Sequence, residues 1–237
     1  MPPDEYPHLV GSNSSAAQCG DEPLLIHRRT GARVAVAPQR PAAARCLLQS
    51  GDIDIVLSDD GLQHYALARD MEVVVIDAQR QLGNGFCLPA GPLREPRSRL
   101  ASVDHVLYRN GDDPRTAVRY VPDCWVNLAD GQQRPLDAFL GAGNVVGLAG
   151  IGQPAQFFAT LRELGVDAQS LVFPDHHIYS ADDFAGLTGR TILMTEKDAV
   201  KCAAFAGPGA WYLRISARLP DALVAAVTAL ARQGVKR

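Results

Sequence analysis

Two consecutive acids, Asp59 and Asp60, follow an apolar, β-branched run at residues 53–57, and Gly61-Leu62-Gln63-His64 stands directly behind them. In open α/β sheets ligands bind beyond the carboxyl ends of strands. Paired carboxylates at such an end suit a hydrated Mg²⁺ whose other ligands are phosphate oxygens. Gln63 and His64 would bring an amide and an imidazole to the same place. An Asp-Asp-Gly turn is also an ordinary strand terminator, so the pattern alone leaves both readings open. Gly20-Asp21-Glu22-Pro23 reads locally as a turn with two carboxylates. Pro174-Asp175-His176-His177 follows an expected strand, where a histidine titrating near neutrality can share a proton with a carboxylate. Either histidine also fits the role of a satisfied loop residue, and two adjacent ones point apart, which weighs against a shared metal. Arg94 stands in Leu88-Pro89-Ala90-Gly91-Pro92-Leu93-Arg94-Glu95-Pro96, a segment stiff enough to hold a guanidinium ready for phosphate, or simply a structured loop. Thr195-Glu196-Lys197-Asp198 reads as a surface ion-pair cluster. Gly150-Ile151-Gly152 lacks the third glycine of a dinucleotide fingerprint and reads as a strand-to-helix turn.

The elements that must position these groups alternate between short apolar runs and helical patterns, as in βαβ units with a mostly parallel sheet. Strands are expected at 24–26, 34–37, 53–57, 71–76, 103–108, 144–149, 170–173, 191–195 and 211–215. Helices are expected at 41–48, 155–164 and 220–232, with a short one behind a capping-box pattern at Ser180-Ala181-Asp182-Asp183. The polar, turn-forming stretch Asp130-Gly131-Gln132-Gln133-Arg134-Pro135 suggests a boundary at about 128–143. The expected organisation is therefore a first α/β part at 1–135, carrying Asp59 and Asp60, and a second, smaller α/β domain at 143–237.

Composition narrows the function classes. Of 237 residues 47% are hydrophobic and 21% charged, the balance of an ordinary globular protein. The net charge is −3 and the basic residues are scattered, which speaks against a nucleic-acid partner. No apolar run approaches the roughly 18 residues of a spanning helix. Five cysteines, an odd count without a C-x-x-C pair, argue for reduced thiols and a cytoplasmic setting. The three lysines are Lys197, Lys201 and Lys236; none follows a glycine-rich loop, so no G-x-x-x-x-G-K-[ST] cradle occurs in the sequence.

Each motif is weak alone, but their order is specific. Gly20-Asp21-Glu22-Pro23-Leu24-Leu25-Ile26, Asp59-Asp60-Gly61-Leu62-Gln63-His64, Leu88 to Glu95, Gly150-Ile151-Gly152, Phe173-Pro174-Asp175-His176-His177 and Thr195-Glu196-Lys197-Asp198-Ala199-Val200-Lys201 succeed one another. Together they closely resemble the tetraacyldisaccharide 4'-kinases of lipid A biosynthesis, from about Tyr6 to the C-terminus. The resemblance implies a P-loop-type kinase fold, ATP with Mg²⁺, and γ-phosphoryl transfer to the 4'-hydroxyl of a lipid A disaccharide 1-phosphate. It also implies peripheral contact with the inner membrane at its cytoplasmic face.

By position, Asp21 and His176 resemble that family's catalytic pair, His176 holding Asp21 as the base that takes the hydroxyl proton. Asp59 and Asp60 resemble its Walker B acids and metal ligands, with Gln63 beside the nucleotide. Glu22, His64, Arg94, Glu95 and Asp175 fall on the substrate side. The family's glycine-rich loop and lysine lie upstream of the Gly-Asp-Glu-Pro segment, so the expectation is an N-terminally truncated chain without the P-loop and its first strand. An impaired grip on ATP follows from that expectation. The alternatives are an inactive lipid-disaccharide-binding fragment and a metal-dependent phosphohydrolase using Asp59, Asp60 and His176.

Overall fold

The structure, a computed structural model, describes residues 5–175 and 177–234. In chain order its elements are β1 (His8–Leu9), α1 (Ala16–Cys19), α2 (Asp21–Thr30), β2 (Ala35–Val36), α3 (Arg40–Gln49), β3 (Val73–Asp77), β4 (His105–Arg109), β5 (Ala117–Asn127), β6 (Gln133–Arg134), β7 (Val145–Ala149), α4 (Pro154–Glu163), β8 (Gln169–Val172), β9 (Thr191–Thr195), α5 (Glu196–Cys202), β10 (Ala210–Arg218) and α6 (Asp221–Gly234). The fold is α/β with a mostly parallel sheet, as the alternation of patterns implies. Two compact units divide the chain: Met1–Val36 with Pro122–Ser216, and Ala37–Val121 with Ala217–Arg237.

In the first unit the strand order is β5-β10-β9-β7-β8, with β9 parallel to both β10 and β7, and β7 parallel to β8. Successive residues of a strand face opposite sides, and both faces here are covered, so the strands read as continuous apolar runs. Leu193 and Trp211 join one core with Trp125, Phe139, Phe157 and Leu161. Their neighbours Ile192, Met194 and Ala210 join the other, with Leu148, Tyr179, Phe184 and Cys202. Residues 128–143, where composition suggests a boundary, carry β6, paired antiparallel to β5, and a 3-10 turn, Leu136–Phe139. Phe139 is buried between Trp125 and Trp211, edge-on to each at 5.4 and 5.5 Å, and the Trp125 indole N–H donates to the Leu136 carbonyl.

Residues 24–26 are helical, not extended, which corrects the sequence expectation. They lie in α2, whose first turn holds Asp21 and Glu22, where negative charge favours the helix N-terminus. Pro23 is tolerated there because a first-turn N–H has no helical partner, and Gly31 ends the helix in the left-handed conformation at φ 68°. Leu24 is buried with Val10 and Cys19, so the apolar triplet serves one helix face.

In the second unit β3, β4 and the start of β5 run parallel, with Leu107 and Val118 packed against Leu223 of α6. Residues 53–57 form no strand there, a second correction. A parallel strand exists only through hydrogen bonds to a neighbour, and this run is assigned none; Leu57 is 78% exposed. Asp59 and Asp60 therefore sit in a turn rather than at a strand end.

Candidate functional site

In the first unit, the start of α2 presents Asp21 and Glu22 after Gly20. One Asp21 carboxylate oxygen accepts the Glu22 backbone N–H at 3.1 Å. Glu22 pairs with Lys197, its Oε1 2.5 Å from Nζ. Lys197 stands in the first turn of α5, directly after β9, which is how the packing of α5 on α2 brings it to Glu22. Partial burial pulls the Lys197 ammonium down, but the hydrogen bond to Glu22 and the charges of Glu22, Asp21 and Asp175 outweigh it and hold it above its ordinary value. Asp175, in the turn after β8, lies against Gly152: a Cβ there would come within 3.1 Å of its Oδ2. Glu22 thus pairs with this cation directly, and the charges of Asp21 and Asp175 act on it as well. His176 lies outside the described residues.

His177 is a satisfied loop residue. It stacks on Phe173 at 4.5 Å, meets Tyr179 edge-on at 4.7 Å and places Nε2 3.3 Å from Asp183. The Ser180 backbone N–H, more than His177, holds the Asp183 carboxyl below its usual range.

Asp198 is the residue that the sequence reading placed wrongly. In place of a surface ion pair, the structure gives a fully buried carboxylate. Its Oδ2 accepts from Thr195 Oγ1 at 2.6 Å and from the Gly150 N–H at 3.1 Å; its Oδ1 accepts the Tyr179 hydroxyl at 2.9 Å. Lys201 Nζ lies 3.2 Å from Oδ1. The Thr-x-x-Asp spacing was the available signal: Thr195 caps α5 by accepting the Asp198 backbone N–H. Gly150 belongs to the same arrangement, since a Cβ there would overlap the Tyr179 hydroxyl and press on Asp198. Gly150→Ala is expected to cost about 2 kcal/mol by overpacking, read as a lower urea midpoint. An unchanged midpoint would show that the Gly150 backbone has room.

The second unit carries the other candidates. Asp60 adopts φ 46°, a left-handed conformation that Asp tolerates better than most residues. Its Oδ2 is 3.6 Å from Arg94 Nη1, and both side chains are largely exposed. Gln63 Nε2 donates to Glu95 Oε1 at 2.7 Å, and the Tyr65 hydroxyl donates to Oε2 at 2.5 Å. These two bonds, the Tyr65 one foremost, hold the Glu95 carboxyl below its usual range. Arg99 adds an ion pair at 3.3 Å. The 59–65 turn and the 88–96 loop are therefore joined three times, through Asp60 with Arg94 and through Gln63 and Tyr65 with Glu95. Arg40 donates to the Asp59 carbonyl, leaving its carboxylate exposed, and His64 is half-buried in a turn closed onto Gly61. Of the expected site residues, Asp21, Glu22 and Asp175 thus fall in one unit, and Asp59, Asp60, Gln63, His64, Arg94 and Glu95 in the other.

Among known proteins, the sequence profile described as tetraacyldisaccharide-1-P 4'-kinase matches residues 3–232. The tetraacyldisaccharide 4'-kinase of Pseudomonas aeruginosa (strain PAO1) is 50% identical over 226 residues, covering 94% of this chain and 68% of that protein. Its Azotobacter vinelandii namesake is 50% identical over 218 residues, covering 91% of this chain and 66% of that protein. The crystal structure of LpxK from Aquifex aeolicus, an "apo" form in complex with ATP, superimposes with a TM-score of 0.74. It covers 94% of this chain and 71% of that one, and its 24% identity makes it evidence of shared fold. By profile match and by identity over most of its length, the chain belongs to the tetraacyldisaccharide-1-phosphate 4'-kinase family.

Proposed function

We propose that the chain carries out the reaction its family is named for, moving the γ-phosphoryl group of ATP to the 4'-hydroxyl of a lipid A tetraacyldisaccharide 1-phosphate. The observation that carries this reading is the Glu22–Lys197 pair beside Asp21 at the start of α2, with the charge of Asp175 acting on the same ammonium. Phosphoryl transfer asks a protein mainly for positioning and charge stabilisation, with one group to take the proton of the attacking hydroxyl. Asp21 is that base. It sits in the first turn of α2, and His176 is assigned to orient it. Glu22 and Asp175 are held in register by the Lys197 ammonium and face the acceptor.

Asp59 and Asp60 would hold Mg²⁺. Two adjacent, exposed carboxylates are the donor set this ion takes when phosphate and water complete its shell. Among the described residues no cluster of three or more His, Cys, Asp or Glu side chains closes around a point, which leaves those positions to the phosphates. When bound, the ion neutralises charge on the transferring phosphoryl group. Gln63 orients the nucleotide, and its bond to Glu95 links that task to the acceptor loop. Arg94, exposed and only loosely paired with Asp60, supplies a guanidinium for phosphate, and His64 is assigned to the substrate side. A lipid acceptor places the work at a membrane surface. We assign it peripheral contact at the cytoplasmic face of the inner membrane; no helix of the described residues is long and apolar enough to cross one.

Calorimetric titration with the disaccharide 1-phosphate, followed by an ADP-release assay with ATP and Mg²⁺, tests the reading. The expected result is saturable binding and ADP release that requires the acceptor. Binding without ADP release would leave only a lipid-disaccharide-binding fragment, and phosphate release without ATP would make the protein a hydrolase.

A further inference from the structure

We infer that Asp198 is a positioning residue for this phosphoryl transfer, acting through Tyr179 and Gly150 on the loop that carries Asp175. The inference rests on the kinase reading and adds to it a residue that does not touch substrate. A carboxylate taken fully out of water is costly unless every lone pair is used. Asp198 is compensated by the Lys201 ammonium 3.2 Å from Oδ1 and by three hydrogen bonds from three separate segments: the β7–α4 turn at Gly150, the β9–α5 cap at Thr195, and the loop after β8 at Tyr179. Apolar side chains could join the same segments, as Leu148, Met194 and Phe184 do around them. A carboxylate adds direction, because each hydrogen bond fixes an angle as well as a distance.

What is fixed matters for the site. Burial, and then the neighbouring charge of Asp198, raise the Tyr179 phenol well above its ordinary value, so its O–H stays on as the donor. The loop after β8 is then pinned on either side of Asp175, by the Phe173 N–H donating to the Ala149 carbonyl at 2.9 Å and by the Tyr179 hydroxyl donating to Asp198. Asp175 lies between these anchors and rests on Gly152, two residues beyond the Gly150 amide that Asp198 also holds. Lys197, the residue before Asp198, reaches Glu22 from the same helical turn. One turn of α5 therefore sets both the cation and the loop whose acid faces it. A shift of about 1 Å in such a group costs on the order of a hundredfold in rate.

Tyr179→Phe removes one hydroxyl and keeps the ring contacts. Its expected effect is a tenfold to hundredfold fall in kcat, with KM for ATP and for the disaccharide 1-phosphate changed less than about twofold. Asp198→Asn should do the same. Phe184→Leu, in the same apolar cluster but outside the hydrogen-bond network, serves as the control: it should lower the melting temperature without the loss of kcat. An unchanged kcat in Tyr179→Phe, or an equal fall in Phe184→Leu, overturns the inference. Hydrogen exchange reads the same device without turnover: amides of 173–179 should exchange faster in Tyr179→Phe, and unchanged exchange overturns it. A complete absence of phosphate transfer by the unaltered chain would defeat the kinase reading instead, and exchange alone would then decide whether Asp198 positions the loop.

Discussion

Asp21→Asn is expected to lower kcat about a thousandfold, within the range that a general base contributes, while leaving the KM values and the melting temperature nearly unchanged. The substitution keeps shape and an oxygen to accept the Glu22 N–H, so the first turn of α2 stays intact. It removes a negative charge at a helix N-terminus, a loss of about 0.3–1 kcal/mol, too small to unfold the unit. What it abolishes is the capacity to take a proton from the sugar hydroxyl. Lys197 keeps its pairing with Glu22, so the remaining acids stay in place. A steady-state comparison with both substrates varied separates this from a binding defect. Turnover within threefold of the unaltered chain would remove Asp21 from the chemistry and leave the cluster around Lys197 as a structural feature.

Asp60→Asn should lower turnover on the order of a hundredfold, the scale of losing one charged contact to a developing phosphoryl charge, and raise the Mg²⁺ concentration needed for half-maximal rate. Asn is the substitution that isolates the charge, since it accepts the left-handed φ of 46° as Asp does, whereas Ala would add strain. The Arg94 contact at 3.6 Å is between exposed groups and worth at most about 1 kcal/mol, so its loss does not explain a large kinetic effect. Glu95 remains fastened to Gln63 and Tyr65 and keeps the two loops joined. An unaltered Mg²⁺ dependence in Asp60→Asn would take the ion away from this turn.

The parts of the fold legible in the sequence are those where local pattern and burial agree. β7, β9 and α4 are apolar runs or stripes that end at their own punctuation, and each forms at its expected place. The failures have separate physical causes. Leu24-Leu25-Ile26 is short enough to read as strand or helix, and the acids before it and Gly31 after it decide for helix. The 53–57 run has strand composition, but composition supplies no partner. β5 is not legible in the sequence because Pro122 and Asp123 interrupt its apolar spacing, although Trp125 and Val126 at its far end are buried. At the site, Asp21, Glu22 and Asp175 were legible as types in a specific order, and the structure brings their charges to Lys197. Asp198 was not, because a charged residue three positions beyond a strand reads as exposed until the Thr195 cap and the Tyr179 hydroxyl that bury it are seen.

Where the terminal phosphate of ATP goes decides whether the chain is a lipid kinase. The deciding measurement is to incubate the chain with γ-labelled ATP, Mg²⁺ and the tetraacyldisaccharide 1-phosphate, beside an otherwise identical acceptor lacking the 4'-hydroxyl, and to follow the label. Label moving into the lipid with the first acceptor and not the second is the predicted result. Label released as free phosphate at the same rate with either acceptor, or retained in ATP with both, would contradict it.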